Sequence, residues 1–171
     1  MPATGSDREA SLPRIPKTAD GSFLPRGALI IAESRIPGAG LGLFVQQHVE
    51  PGTWICEYLG ERKSLMQVMR MEDREYVMGT GQINCHIDAT KHPEARNGLY
   101  VNDNGDRRAL NAEFFKFKHE GRVLLRATAE VKAGSEIYAS YGEVTSHYYA
   151  HANSLTFSSS VGWDYTLMEV S

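Results

Sequence analysis

The sequence predicts a mainly β domain with short helices. Three observations lead there. Its apolar runs are short, turns rich in glycine and proline separate them, and only one stretch, opened by Ser64, carries apolar residues at helical spacing.

Taken in order, residues 1–26 are rich in Pro, Ser, Thr, Asp and Arg, hold four of the seven prolines and show no apolar period. A disordered tail is expected, or a strap lying along the domain. Ala28–Ala32 and Leu43–Val45 read as strands, Glu50-Pro51-Gly52-Thr53 as a turn, and Trp54–Leu59 as a third strand. Ser64 and Gln67 have capping-box spacing, and Leu65, Val68, Met69 and Tyr76 recur on one helical face. Gly79-Thr80-Gly81 ends that region. Cys85–Asp88 is a short strand, 91–98 a polar loop, and Asn102–Arg108 turn-rich. Ala112–Lys118 and Arg122–Ala127 form a hairpin signal across His119-Glu120-Gly121, and Lys132–Ser135 is a further turn before the apolar, aromatic run Ile137–Tyr141. The expected organisation is a tail over 1–26, a domain over 27–145 and a C-terminal segment over 146–171.

The chain has 171 residues, 42% apolar and 23% charged, the size and balance of one globular domain. Its formal net charge of −3 supplies no basic field for direct contact with nucleic acid. No apolar run approaches the roughly 20 residues that span a bilayer, and the N-terminus lacks a signal peptide's apolar core. An intracellular protein with no membrane partner is expected. Cys56 and Cys85, the two cysteines, read as buried thiols in a reducing compartment. The histidines show no metal-ligand spacing with them, so no metal site is expected.

Residues Ile36–Phe44 alternate Gly38, Gly40 and Gly42 with small or apolar side chains. Glycine takes positive φ and lets another molecule approach the main chain. The dinucleotide fingerprint fails on spacing, because Leu43 or Val45 stands where its third glycine would fall. The phosphate-binding P-loop fails because no Gly-Lys-Ser/Thr follows. The glycines alone leave a structural turn and a cofactor cradle both open.

The stretch keeps company with Glu57-Tyr58-Leu59-Gly60-Glu61, Ile87-Asp88-Ala89, Tyr100-Val101-Asn102 and Ala133–Gly142, in that order. Together these segments resemble the SET domain, the fold of most protein lysine methyltransferases, over roughly residues 28–142. The resemblance implies several small sheets with a pseudoknot-like C-terminal crossing. It also implies a protein-lysine N-methyltransferase that uses S-adenosylmethionine, releases S-adenosylhomocysteine and needs no zinc. Its partner would be a basic, lysine-bearing protein or peptide such as a histone tail, with a nuclear location in that case. By the same resemblance Tyr141 and Tyr58 are catalytic. Gly40, Leu41, Gly42, Asn102, Asp103, Tyr141 and Trp163 would contact the cofactor, and Tyr58, Phe114 and Tyr138 would line the lysine channel. Glu57 and Glu61 read as a solvated edge or as acidic guides for the peptide.

Such chemistry suits these residue types. The attacking lysine must be neutral, which at pH 7 costs about 4–5 kcal/mol. A narrow apolar channel lowers that cost by desolvating the ammonium. Three features depart from the family pattern. Asp103 stands where the family carries histidine, and aspartate neither stacks on adenine nor donates as histidine does. Ala139 stands two residues before Tyr141, where many relatives carry an aromatic that influences how many methyl groups are added. No cysteine-rich segment flanks the domain to form a zinc-bound lid, so Trp163 and Tyr165 are candidates to close the cofactor pocket, the other reading being that they dock on the domain core. Two other readings stay open: a SET-like module that binds a peptide or protein partner with little or no turnover, and a plain interaction domain.

Overall fold

In a computed structural model of the chain, the described residues are Ile15, Thr18, 21–91 and 98–141. Most of the expected tail, the polar loop 92–97, Gly142 and the C-terminal segment with Trp163 and Tyr165 lie outside them. The architecture is mainly β, in three small antiparallel sheets, as expected.

Strands β1 (Leu29–Glu33) and β2 (Leu41–Val45) pair in simple antiparallel register, from Leu29 opposite Val45 to Glu33 opposite Leu41. β2 starts earlier than its apolar run suggests. Leu41 and Gly42 belong to the strand, so the loop between the strands is shorter than the glycine pattern implies.

The second sheet runs β3-β8-β7, with β3 at Trp54–Glu57, β7 at Ala112–Phe117 and β8 at Arg122–Ala127. The expected hairpin is β7–β8, closed by a 3-10 turn at Lys118–Glu120. β8 is the middle strand and is covered on both faces, which is why Val123, Leu124 and Leu125 run consecutively apolar through its centre. Across β3 and β8, Arg122 makes a two-pronged ion pair with Glu57, Nε to Oε1 at 2.9 Å and Nη2 to Oε2 at 2.7 Å. Both side chains are buried. Glu57 is therefore neither a solvated edge nor a peptide guide. Glu61 is exposed and pairs with Lys63 at 2.8 Å.

The Arg122 guanidinium also donates to the carbonyl of Ile15, a buried residue. Phe23 N donates to Ile55 O at 3.0 Å, and Glu57 N to Gly21 O at 2.7 Å. The segment just before residue 26 thus adds to the edge of β3. Its composition reads as tail because this pairing uses backbone groups alone.

The third sheet runs β4-β6-β5, with β4 at Glu61–Lys63, β5 at Val77–Gln82 and β6 at Cys85–Asp88. Helix α1 spans only Leu65–Met69. Its capping box forms as expected: Ser64 Oγ accepts from Gln67 N, and Gln67 Oε1 accepts from Ser64 N at 2.7 Å. The helix ends early because Arg74 folds back to donate to the Met71 and Met69 carbonyls. Tyr76 is not on the helix. Gly79-Thr80-Gly81 is the interior of β5, where Thr80 Oγ1 bonds Cys85 O at 2.7 Å across the turn. Cys56 is buried as expected, whereas Cys85 is half-buried.

The C-terminal stretch 135–141 passes between β2 and residues 101–103. Val45 N donates to Ser135 O at 3.0 Å and Ile137 N to Leu43 O at 2.8 Å, while Ala139 N donates to Asn102 O at 3.1 Å. Asn102 and Tyr138 form a parallel bridge. Leu43, Val101, Phe114, Leu125 and Ile137 meet in the shared core beneath this crossing. No helix among the described residues is long and apolar enough to cross a membrane.

Candidate active site

The glycine stretch turns tightly between β1 and β2. Ser34 N donates to Gly40 O at 2.8 Å and Ala39 N to Ile36 O at 3.1 Å. Gly40 has φ +75°, and a Cβ built on it or on Gly38 meets no atom within 4 Å, so the outer side of this main chain is open. Gly42 is the opposite case. A Cβ there would stand 2.2 Å from Glu136 Oε1.

Glu136 is the reason for that crowding. It is 1% exposed and accepts from Ser34 Oγ (2.7 Å), Arg35 N (2.7 Å), Tyr138 OH (2.8 Å) and Asn102 Nδ2 (3.1 Å). Burial pushes its carboxyl up, but these four donors outweigh burial and hold it below its ordinary value. A buried carboxylate with this many donors is stable as the anion.

Residues 101–103 tie the glycine stretch to the C-terminal crossing. Asn102 Nδ2 also donates to Leu41 O at 3.0 Å. Val101 O accepts from Tyr141 OH at 2.8 Å, and Asp103 Oδ2 accepts from Tyr141 N at 3.0 Å. The other Asp103 oxygen, Oδ1, accepts from Gly105 N at 2.9 Å.

Tyr141 stands 49% exposed at the rim, and burial of its hydroxyl, with Asp103 nearby, pushes that group up to about 12. It remains a neutral phenol throughout the physiological range. Tyr58 is buried, with its hydroxyl donating to Tyr76 O at 2.9 Å. Burial, then Tyr141, Asp88 and Tyr76, push its hydroxyl upward. Tyr76 is raised by burial and by Glu75, Asp73 and Tyr100. Tyr58 thus lies near Tyr141 and Tyr76, and Tyr76 near Tyr100, with the Glu75 carboxylate hydrogen-bonded to Tyr76. Phe114 lies behind this group, edge-on to Tyr58 at 6.0 Å between ring centroids. Gly98 makes room for both rings, since a Cβ on it would stand 2.8 Å from Phe114 Cε1 and 3.0 Å from Tyr58 Cδ2.

The structure brings Gly40, Leu41, Gly42, Asn102, Asp103 and Tyr141 together, and Tyr58 with Phe114 beside them. Phe114 is 1% exposed and is core behind Tyr58 instead of an open wall. Phe115 points to the other face, against Trp54 at 5.7 Å. Tyr138 turns away from the other tyrosines and commits its hydroxyl to Glu136, on the glycine side. Trp163 lies outside the described residues. Sequence reasoning missed Tyr76, Tyr100 and Glu75, because helical spacing assigned Tyr76 to a helix that stops short of it. Among the described residues no group of three His, Cys, Asp or Glu side chains is arranged to hold a metal ion.

The histone-lysine N-methyltransferase EZH2 of Chaetomium thermophilum is 27% identical over 135 residues, covering 70% of this chain and 9% of that protein. A solved structure of an active polycomb repressive complex 2 in the basal state matches with TM-score 0.56 and 29% identity, over 68% of this chain and 15% of that one. A structure of ctPRC2 in complex with H3K27me3 and H3K27M matches with TM-score 0.54 and 26% identity, over 68% of this chain and 14% of that one. The chain thus spans a small part of the length of each of these relatives. The SET domain family matches residues 40–142, which takes in the glycine stretch, the 101–103 tie and Tyr141. The chain belongs to the SET domain family.

Proposed function

We propose that this chain methylates a lysine side chain on a protein, with S-adenosylmethionine as the methyl donor and a histone tail as the leading substrate. The observation that carries the reading is the tyrosine group. Tyr141 stands at the rim with a hydroxyl anchored on Val101 O, near Tyr58 and Tyr76 and tied through residues 101–103 to the glycine stretch.

The residues fit the cofactor. The open outer side of Gly38 and Gly40 admits a ligand to the main chain, and Leu41, half-exposed beside them, offers an apolar surface. Gly40, Leu41, Gly42, Asn102 and Tyr141 would hold it, with Trp163 as the proposed cover, whereas Asp103 spends its two oxygens on the Tyr141 and Gly105 amides. When bound, S-adenosylmethionine supplies an electrophilic methyl group.

The chain's own part is positioning and desolvation. An aromatic, half-buried site disfavours a lysine ammonium and favours the neutral amine that attacks. Tyr141, neutral up to about pH 12, cannot serve as the base. Its hydroxyl donates to Val101 O, which leaves oxygen lone pairs to accept from the amine. The lysine proton therefore leaves to water before attack. Glu75, hydrogen-bonded to Tyr76, attracts a cationic side chain to the mouth. The names of the relatives, a histone-lysine methyltransferase and a complex bearing H3K27me3, support a histone substrate and so a nuclear setting.

The test uses the full chain, labelled cofactor and a panel of histones and lysine peptides, with cofactor affinity measured by calorimetry. Tyr141→Phe is expected to lower kcat by about 100-fold or more, while cofactor Kd changes less than about threefold. A fully active variant would remove Tyr141 from the chemistry. Tight cofactor binding with no methyl incorporation into any substrate would favour the alternative, a binding module without turnover, which the histidine-to-aspartate departure at Asp103 supports.

A further inference from the structure

We propose that Asp103 is a positioning residue for Tyr141: its carboxylate bridges the main-chain amides of Tyr141 and Gly105 and fixes the angle at which the tyrosine enters the site. The inference rests on the methyl-transfer reading above and extends it to a residue that contacts no reacting atom.

Tyr141 needs such a device. It is half-exposed, so packing alone holds it loosely. Two anchors replace packing. The hydroxyl bonds Val101 O at 2.8 Å, and the main-chain nitrogen bonds Asp103 Oδ2 at 3.0 Å. Both acceptors belong to residues 101–103, so the side chain is held at its tip and its root by one short segment. With the tip anchor alone, the ring could pivot about the hydroxyl. Reaction geometry tolerates little of that, since a misplacement of about 1 Å lowers rate by about 100-fold.

The carboxylate itself is oriented. Its Oδ1 accepts from Gly105 N at 2.9 Å, which leaves Oδ2 facing Tyr141. Each oxygen thus serves a different amide. Asparagine offers one acceptor oxygen and would turn its NH2 toward one of the two N–H groups. A histidine here could not accept from both amides through a forked pair of oxygens. Aspartate at this position is therefore a gain of a clamp as well as the loss of an imidazole.

The experiment compares the full wild-type chain with Asp103→Ala and Asp103→Asn. It reads kcat, peptide KM, cofactor Kd and the amide NMR signals of residues 105 and 141. In the wild type, the Gly105 and Tyr141 amides are both expected to exchange slowly with solvent and to show couplings across hydrogen bonds to the Asp103 carboxylate. This arm needs no variant and no activity. Both variants should lower kcat by about 10- to 100-fold, with cofactor Kd and peptide KM within about threefold, and should speed hydrogen exchange at the Tyr141 amide. An unchanged kcat overturns the proposal. So does a loss confined to cofactor Kd, which would make Asp103 a cofactor ligand, or a Tyr141 amide that shows no coupling to the Asp103 carboxylate. If the wild-type chain methylates nothing while both amides still couple to that carboxylate, the methyl-transfer reading has failed and the catalytic role of the clamp falls with it.

Discussion

At the scale of single residues, Gly42 and Gly40 look alike in the sequence and do opposite things. Gly42 is a close-approach glycine, with its absent side chain replaced by a carboxylate that four donors hold still. Gly42→Ala is expected to destabilise the chain by about 3 kcal/mol, because overpacking against a fixed group leaves no room to relax. Gly40→Ala meets open space, and its left-handed φ costs about 1–2 kcal/mol. Urea midpoints of the two variants check the order. Tyr141, Asn102 and the glycines were legible because short motifs carry them. Glu136 was legible as part of a motif but not as a hub, since Ser34 and Arg35 lie far from it in sequence. Tyr76 was hidden by a spacing that suits a helix as well as it suits a turn leading into a strand.

At the scale of elements, local chemistry was readable and extents were not. The capping box at Ser64 and the β7–β8 hairpin are local devices, and both formed where expected. β5 escaped because Gly79 and Gly81 look like punctuation, yet its pairing with β6 supplies what its sequence lacks. The β3–β8 pair depends on the buried Arg122–Glu57 bridge, which also gathers the carbonyl of Ile15. Glu57→Gln leaves the buried guanidinium with only the more exposed Glu120 carboxylate, at 3.3 Å, and is expected to cost about 3 kcal/mol. Pairing Glu57→Leu with Arg122→Met should recover most of that loss. Chemical denaturation of the single and double variants measures it.

At the scale of the whole molecule, Glu136 joins three distant segments: the turn after β1, residue 102 and the C-terminal crossing. Its folded-state carboxyl lies below the ordinary value of 4.5. Its stabilising contribution is therefore full above that value and is lost as pH falls through the lower, folded value. Glu136→Gln is expected to lower stability by about 2–3 kcal/mol at neutral pH, as charge-assisted bonds are weakened. The gap between wild type and variant should close as pH falls from the ordinary carboxyl value of 4.5 through the lower folded-state value, followed by thermal melting across pH. The three sheets could be anticipated from short runs and turns. Their connection through this carboxylate could not, because it depends on contacts between segments about 100 residues apart, which no local pattern encodes.

The 101–103 tie also bears on folding order. Asn102 cannot bond Leu41 and Glu136, nor Asp103 hold Tyr141, until segments from both ends of the domain have closed long loops. Loop closure carries its entropic cost before such contacts return anything. Hairpins such as β7–β8 can assemble early, whereas the tie, like the β3–β8 pair, waits on closures of several tens of residues. A nascent chain would thus hold its local hairpins before either the β3–β8 pair or the candidate site came together.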